Sequence, residues 1–129
     1  NTISYMTKLA TAADDFPYTP NNDTIYGGSF MELKEEPIII SLPDVHDRYW
    51  SAEIADAYLE NLSYLGSRAS QGKGGNFMFA SPSWQGNVPK DVTLYRMPTN
   101  SMLFALRYAP EKGNPEDVKK IMDIYIVFL

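Results

Sequence analysis

Charged side chains that fall on otherwise apolar strand faces are the positions from which this sequence could do chemistry. In the stretch Tyr49 to Asp56, strict alternation sets Trp50, Ala52, Ile54 and Asp56 on one face, with Arg48 at its threshold. An ionised carboxylate on such a face needs a cation or several donors, because burying it alone is costly. Arg107 raises the same question by sharing a face with Leu103 and Ala105, and Arg68 and Arg96 sit close to strand ends as further partners. Two chemistries follow. One is a buried ion pair that fixes sheet register; the other is a site in which Arg holds an anionic or polyhydroxylated ligand that Asp56 orients.

The run Pro20-Asn21-Asn22-Asp23-Thr24-Ile25-Tyr26 is the other dense polar feature. Asn and Asp bond back to nearby backbone, so a turn leading into a strand accounts for two of these residues without requiring the whole string. Tyr49, Tyr58, Tyr64 and Trp84 could form a platform for a sugar or another ring, since each joins an apolar face to a polar tip. Packing within a sheet explains the same residues. Asn22 and Asn61 each begin an N-x-S/T sequon, a pattern with a high chance frequency.

Several chemistries are excluded. The chain has no Cys, which removes disulfides, Cys nucleophiles, thiolate zinc sites and iron–sulfur clusters. His46 is the single His and no G-x-S-x-G elbow accompanies it. Asp44, His46 and Asp47 have ligand chemistry, but a polar turn has the same composition, so no metal is assigned. Ser70 to Lys73 imitates S-x-x-K among glycines that disfavour the helix this motif needs. Gly66 to Lys73 imitates a phosphate loop with the wrong spacing, and Gly74 stands where Ser or Thr would bind magnesium. No cofactor is expected.

The elements that must position these residues are mostly short strands. Thr2 to Ala13 reads as a short helix, with Ile3, Met6, Leu9 and Ala10 on one face, and Pro17 and Pro20 then force an extended turn. Ile25 to Leu33 alternates with Ile25, Gly27, Ser29, Met31 and Leu33 on one side. Ile38 to Leu42 is a continuous apolar run, expected as a strand buried on both faces. Tyr49 to Asp56 pairs with Asn61 to Leu65, and Asn76 to Ala80, Thr93 to Arg96 and Met102 to Tyr108 complete the strands. Near the end, Asn114 is an N-cap, Pro115 suits the first helical position, and Glu116 and Asp117 complement the dipole. Val118, Ile121, Met122, Tyr125 and Phe128 form its apolar stripe. The expected fold is mainly β: an antiparallel sandwich or barrel-like domain with a C-terminal helix and a short N-terminal helix.

The 129 residues, 44% hydrophobic and 21% charged, suit one globular core. A net charge of -5 without a run of Lys or Arg disfavours nucleic acid and anionic lipid as partners. No apolar stretch approaches the ~20 residues that cross a bilayer as a helix. Asn1 is not an initiator Met and Ile124 to Leu129 is apolar, so either a chain that continues in both directions or a partner that covers these ends is expected.

The polar motif also fits a larger pattern. After Pro20 to Tyr26 come, in order, Pro43-Asp44, Arg48-Tyr49-Trp50-Ser51, Asp56, Tyr58 and Asn61. Tyr64, Gly66 and Arg68, Gly75-Asn76-Phe77, Pro82 with Trp84 and Gly86, Arg96 with Pro98-Thr99, and Arg107 then follow. This ordered set resembles the domain of unknown function 1254 family, with His46 and Trp50 as its idiosyncratic positions. The resemblance implies a mainly β, sandwich-type fold over residues 20–129, with residues 1–19 as the end of a preceding helical segment, a companion domain of unknown function 1214 later in the chain, and a periplasmic or cell-envelope location. It carries no catalytic residue, since the family has no settled activity. Its polar positions, Asn22, Asp23, Tyr26, Arg48, Tyr49, Asp56, Tyr64 and Arg68, form the expected ligand-binding set.

Three functions fit these residues. The first is a domain that binds a small polar or anionic ligand in a cleft lined by that set. The second is a hydrolase or lyase with Asp23 or Asp56 as base and Tyr or Arg as acid or anion stabiliser. The third is a structural or assembly domain, docking a second β domain or a further copy of itself, whose polar residues only knit the sheets.

Overall fold

The computed structural model describes residues 4–11, 13–14 and 21–126. Its elements run β1 (Ser4–Tyr5), β2 (Ile25–Glu32), β3 (Ile38–Leu42), β4 (Trp50–Asp56), β5 (Asn61–Gly66), β6 (Gly75–Ala80), β7 (Val92–Arg96), β8 (Ser101–Tyr108) and α1 (Pro115–Ile126). They form a five-stranded sheet of order β1-β2-β8-β4-β5 and a three-stranded sheet of order β3-β6-β7. The larger sheet is antiparallel throughout. In the smaller one β3 pairs antiparallel with β6, while β6 and β7 run parallel.

Alternation predicts β2 and β4 well. Ile25, Gly27, Ser29 and Met31 point inward, as do Trp50, Ala52, Ile54 and Asp56. These side chains meet the inward residues of the smaller sheet, with Phe79 and Phe104 ring centroids 6.1 Å apart across the interface. Trp50 stacks on Tyr108 and its Nε1 donates to the carbonyl of Val45 at 3.1 Å. Burial also pushes the Tyr108 phenol well above the usual tyrosine range. The architecture is two open sheets packed face to face. Neither closes on itself, so the barrel alternative does not hold among the described residues.

Two expectations need correction. The short N-terminal helix is not formed by the described residues. Ser4–Tyr5 is a strand paired with Gly27 and Gly28, and the Met6 N–H extends the ladder to the Tyr26 carbonyl at 2.8 Å. Leu9 and Ala10 still pack inward. The apolar positions were real, but an open sheet edge captured the segment, which tertiary pairing can do to a weak helical signal. Thr2, Ile3 and Ala12 lie outside the described residues, as do Pro17 and Pro20.

The second concerns β3. Its burial alternates, with Ile40 and Leu42 inside and Ile39 47% exposed, because only one face of the smaller sheet meets the core. Its apolar run therefore does not signal a strand covered on both sides.

The C-terminal helix forms as its capping residues dictate. Asn114 Oδ1 accepts from the Glu116 and Asp117 N–H groups at 3.1 and 3.3 Å. Ile121 is fully buried, with Val118 and Ile124 half-buried against the same core. The side chain of Tyr125 and the whole of Phe128 lie outside the described residues.

Candidate functional site

The outward face of the larger sheet follows from its register. Residues opposite one another across antiparallel strands project to the same side, so two neighbouring cross-strand rows are set by pairing alone. One row reads Tyr64, Glu53, Ala105, Gly28; the next reads Gly66, Ser51, Arg107, Tyr26. Small residues fill the centre and long polar or aromatic ones rise around them. Glu53 and Arg107 are diagonal neighbours in this array.

A cavity of about 530 Å³ lies over these rows, lined by Asp23, Tyr49, Glu53, Asn61, Tyr64 and Arg107 among others. Among the described residues no ion-pair partner lies within 4 Å of Glu53 or Arg107. Two adjacent charges of opposite sign thus face an open cavity, with acceptors on Glu53, Asp23 and Asn61, donors on Arg107 and Asn61, and flanking phenols. Such a set can hold a molecule offering both hydroxyls and an anionic or carbonyl oxygen.

The expected site residues divide. Asp23, Tyr49 and Tyr64 line this cavity together. Tyr26 lines an adjoining one, and the Arg68 guanidinium lies 6.0 Å from the Tyr49 ring centroid. Asn22 is exposed in the turn before β2. That turn is organised by Asn21, whose Oδ1 accepts from the Asp23 and Thr24 N–H groups at 2.8 and 3.0 Å. Asp23 is exposed and stands 3.8 Å from Lys112.

Arg48 and Asp56 lie outside the lining of this cavity, and Arg48 lines two others together with Tyr49. Arg48 donates to both Asp117 carboxylate oxygens, Nη1 at 2.7 Å and Nη2 at 2.9 Å, and its Nη2 also reaches Asp47 at 3.0 Å. The guanidinium, and behind it the Glu111 N–H, hold the Asp117 carboxyl below the usual carboxylate range. Asp56 is 5% exposed and finds donors, not a cation: its Oδ1 accepts from the Tyr58 and Glu60 N–H groups at 2.8 and 3.0 Å. It anchors the β4–β5 turn at the far end of β4 from Arg48. The pairing of Arg48 with Asp56 considered from the sequence does not form.

Other motifs resolve into loop structure. Ser70 Oγ donates to the Lys73 carbonyl at 2.7 Å and accepts from the Gly66 N–H at 3.1 Å, so the S-x-x-K imitation is a turn. Asp44 Oδ1 accepts from the Gly74 N–H at 2.8 Å. Of the tyrosine and tryptophan platform, Tyr49 and Tyr64 come together, whereas Tyr58 is 81% exposed in the β4–β5 turn. Trp84 belongs to the loop after β6, where its carbonyl accepts from Arg96.

Glu53 is the residue sequence reasoning missed. Alternation puts it opposite Trp50, Ala52 and Ile54, on a face that reads as solvated. Only the pairing of β4 with both β5 and β8 brings it beside Tyr64 and Arg107.

Residues 1–126 match the family described as "Protein of unknown function (DUF1254)". No curated protein matches the sequence. The chain is similar to the VPA0106 protein from Vibrio parahaemolyticus, whose crystal structure shares 33% identity at a TM-score of 0.74 over 82% of this chain and 27% of that one. It thus spans about a quarter of that protein's length. On the match across residues 1–126, and with that structural likeness beside it, the chain belongs to the DUF1254 family.

Proposed function

We propose that this domain binds a small polar or anionic ligand on the outward face of its larger sheet, in the cavity between Tyr49, Tyr64, Glu53 and Arg107. The observation that carries the reading is the side-by-side placement of Glu53 and Arg107 without ion-pair partners among the described residues. A pair that served only to fix register would be closed on itself, as Arg48 and Asp117 are.

The test is chemical-shift mapping of the protein during titration with neutral monosaccharides, sugar acids and dicarboxylates. The reading expects saturable shifts centred on the backbone amides of Glu53, Tyr64 and Arg107, and their loss in Arg107→Gln. Shifts confined to other surfaces, or none with any of the three classes, would sink it.

A hydrolase or lyase is the second reading, favoured by the direct cross-strand placement of Glu53 opposite Tyr64. In that version Glu53, not Asp23 or Asp56, is the carboxylate base and Tyr64 the acid. The companion domain implied by the family belongs to the same proposal. The exposed Phe30 and Leu62, on strands of the larger sheet, are apolar surface that such a domain could cover.

A further inference from the structure

A second cavity, of about 520 Å³, adjoins the first and is lined by Ser4, Tyr26, Gly28 and Leu103 together with Glu53, Ala105 and Arg107. The last three residues line both cavities. The two are therefore lobes of one groove that crosses the sheet from β5 to β1, with Glu53 and Arg107 at its waist. Four inter-strand steps give it a length of about 19 Å. Its floor is low because Ala105 and Gly28 are small. A Cβ added at Gly28 would stand 2.7 Å from the Phe104 carbonyl oxygen, so the backbones pack closely there.

We propose that this groove seats a neutral linear oligosaccharide, laid across the strands with its rings spread over both lobes. The inference rests on the ligand-binding reading above and adds the shape and class of the ligand.

Four observations direct it to a sugar chain. The groove is longer than a single small molecule needs. Its floor strands β4 and β8 are hydrogen-bonded on both sides, and β2 is so along Tyr26 to Gly28 where the groove crosses it, which removes strand addition there, the usual way an extended peptide is held. Side chains alone must then recognise the ligand. Tyr64 and Tyr49 near one end and Tyr26 near the other offer apolar faces with polar tips, while Asn61, Glu53 and Arg107 supply donors and acceptors matched to hydroxyls. Charge excludes a polyanion: Asp23 and Glu53 face the same space, Arg107 is the one cation lining either lobe among the described residues, and the chain carries a net charge of -5.

The experiment is calorimetric titration of the protein with glucose, cellobiose, cellotetraose, maltotetraose, the tetramer of N-acetylglucosamine, and tetragalacturonate. At least one neutral tetrasaccharide is expected to bind ten-fold or more tightly than its own monosaccharide, with tetragalacturonate weaker than that tetrasaccharide. Tyr26→Ala should bring the tetrasaccharide down to the monosaccharide's affinity. Ser4→Trp, at the exposed rim of the far lobe, should do the same by blocking it, and provides a second variant if Tyr26→Ala does not fold. Equal affinity for ring and chain would overturn the groove while leaving the single-cavity reading intact. Tighter binding of tetragalacturonate would overturn the neutral class. Silence from every sugar would overturn the proposal, and the sugar acids and dicarboxylates of the earlier titration decide separately whether the small-ligand reading falls with it.

Discussion

The Arg48 guanidinium grips the Asp117 carboxylate with both terminal nitrogens, at 2.7 and 2.9 Å, tying the threshold of β4 to the first turn of α1. Both side chains are nearly buried, 11% and 7% exposed. Removing one partner strands the other charge out of water, so Arg48→Ala should lower unfolding free energy by about 3 kcal/mol. Arg48→Lys keeps the charge but not the planar fork, and should lose a smaller part of this. Urea denaturation followed by circular dichroism measures both.

The same pair sets an acid limit. Folding depresses the Asp117 carboxyl, so the unfolded chain takes up its proton first as pH falls. The stability this group supplies is complete above the unfolded carboxylate value of about 3.9 and is lost as pH drops through the folded value below it. Urea midpoints measured downward from pH 6 should therefore begin to fall below about pH 4. Asp117→Asn should start lower and decline less steeply over that range.

Asp56 should prove structural. Its Oδ1 accepts two backbone N–H bonds that shape the β4–β5 turn, and an amide oxygen can accept them too. Asp56→Ala is expected to cost about 2 kcal/mol, with Asp56→Asn losing less. Chemical-shift titrations on Asp56→Asn should match those of the unaltered protein, and a loss of binding there would return Asp56 to the site.

Glu53 and Arg107 should behave in the opposite way. Because they support no ion pair among the described residues, Glu53→Gln and Arg107→Gln should each change unfolding free energy by less than about 0.5 kcal/mol. A loss of 2 kcal/mol or more in either, about what removal of a structural partner costs, would favour a role in knitting the sheet. Thermal and urea unfolding of the two variants decide it.

Gly66 is held by both conformation and space. Its φ is +131°, and a Cβ there would lie 2.3 Å from the Trp50 carbonyl oxygen and 2.8 Å from the Ser51 Cα. Gly66→Ala should therefore destabilise by about 2 kcal/mol or more, through strain and backbone displacement of β4 beside the cavity. The check is a urea midpoint, with the Ser51 and Arg107 amide shifts reporting the displacement.

The sequence by itself determined which side of β2 and β4 is core, where α1 begins, and that the chain is mainly β. Those properties are set by residue alternation and by capping groups within a few positions of one another. It also carried enough ordered motif to mark the family. Tertiary structure alone decided the rest. Thr2 to Ala13 held apolar residues at helical spacing, yet the sheet edge offered Ser4 and Tyr5 ladder bonds that local spacing cannot reveal. Arg48 and Asp117 are separated by 69 positions, and nothing near either residue announces the other. Glu53 gained its neighbours only when β4 paired on one side with β5 and on the other with β8. A candidate site built across three strands depends on pairing between distant segments, whereas a strand's inward face depends only on its own alternation.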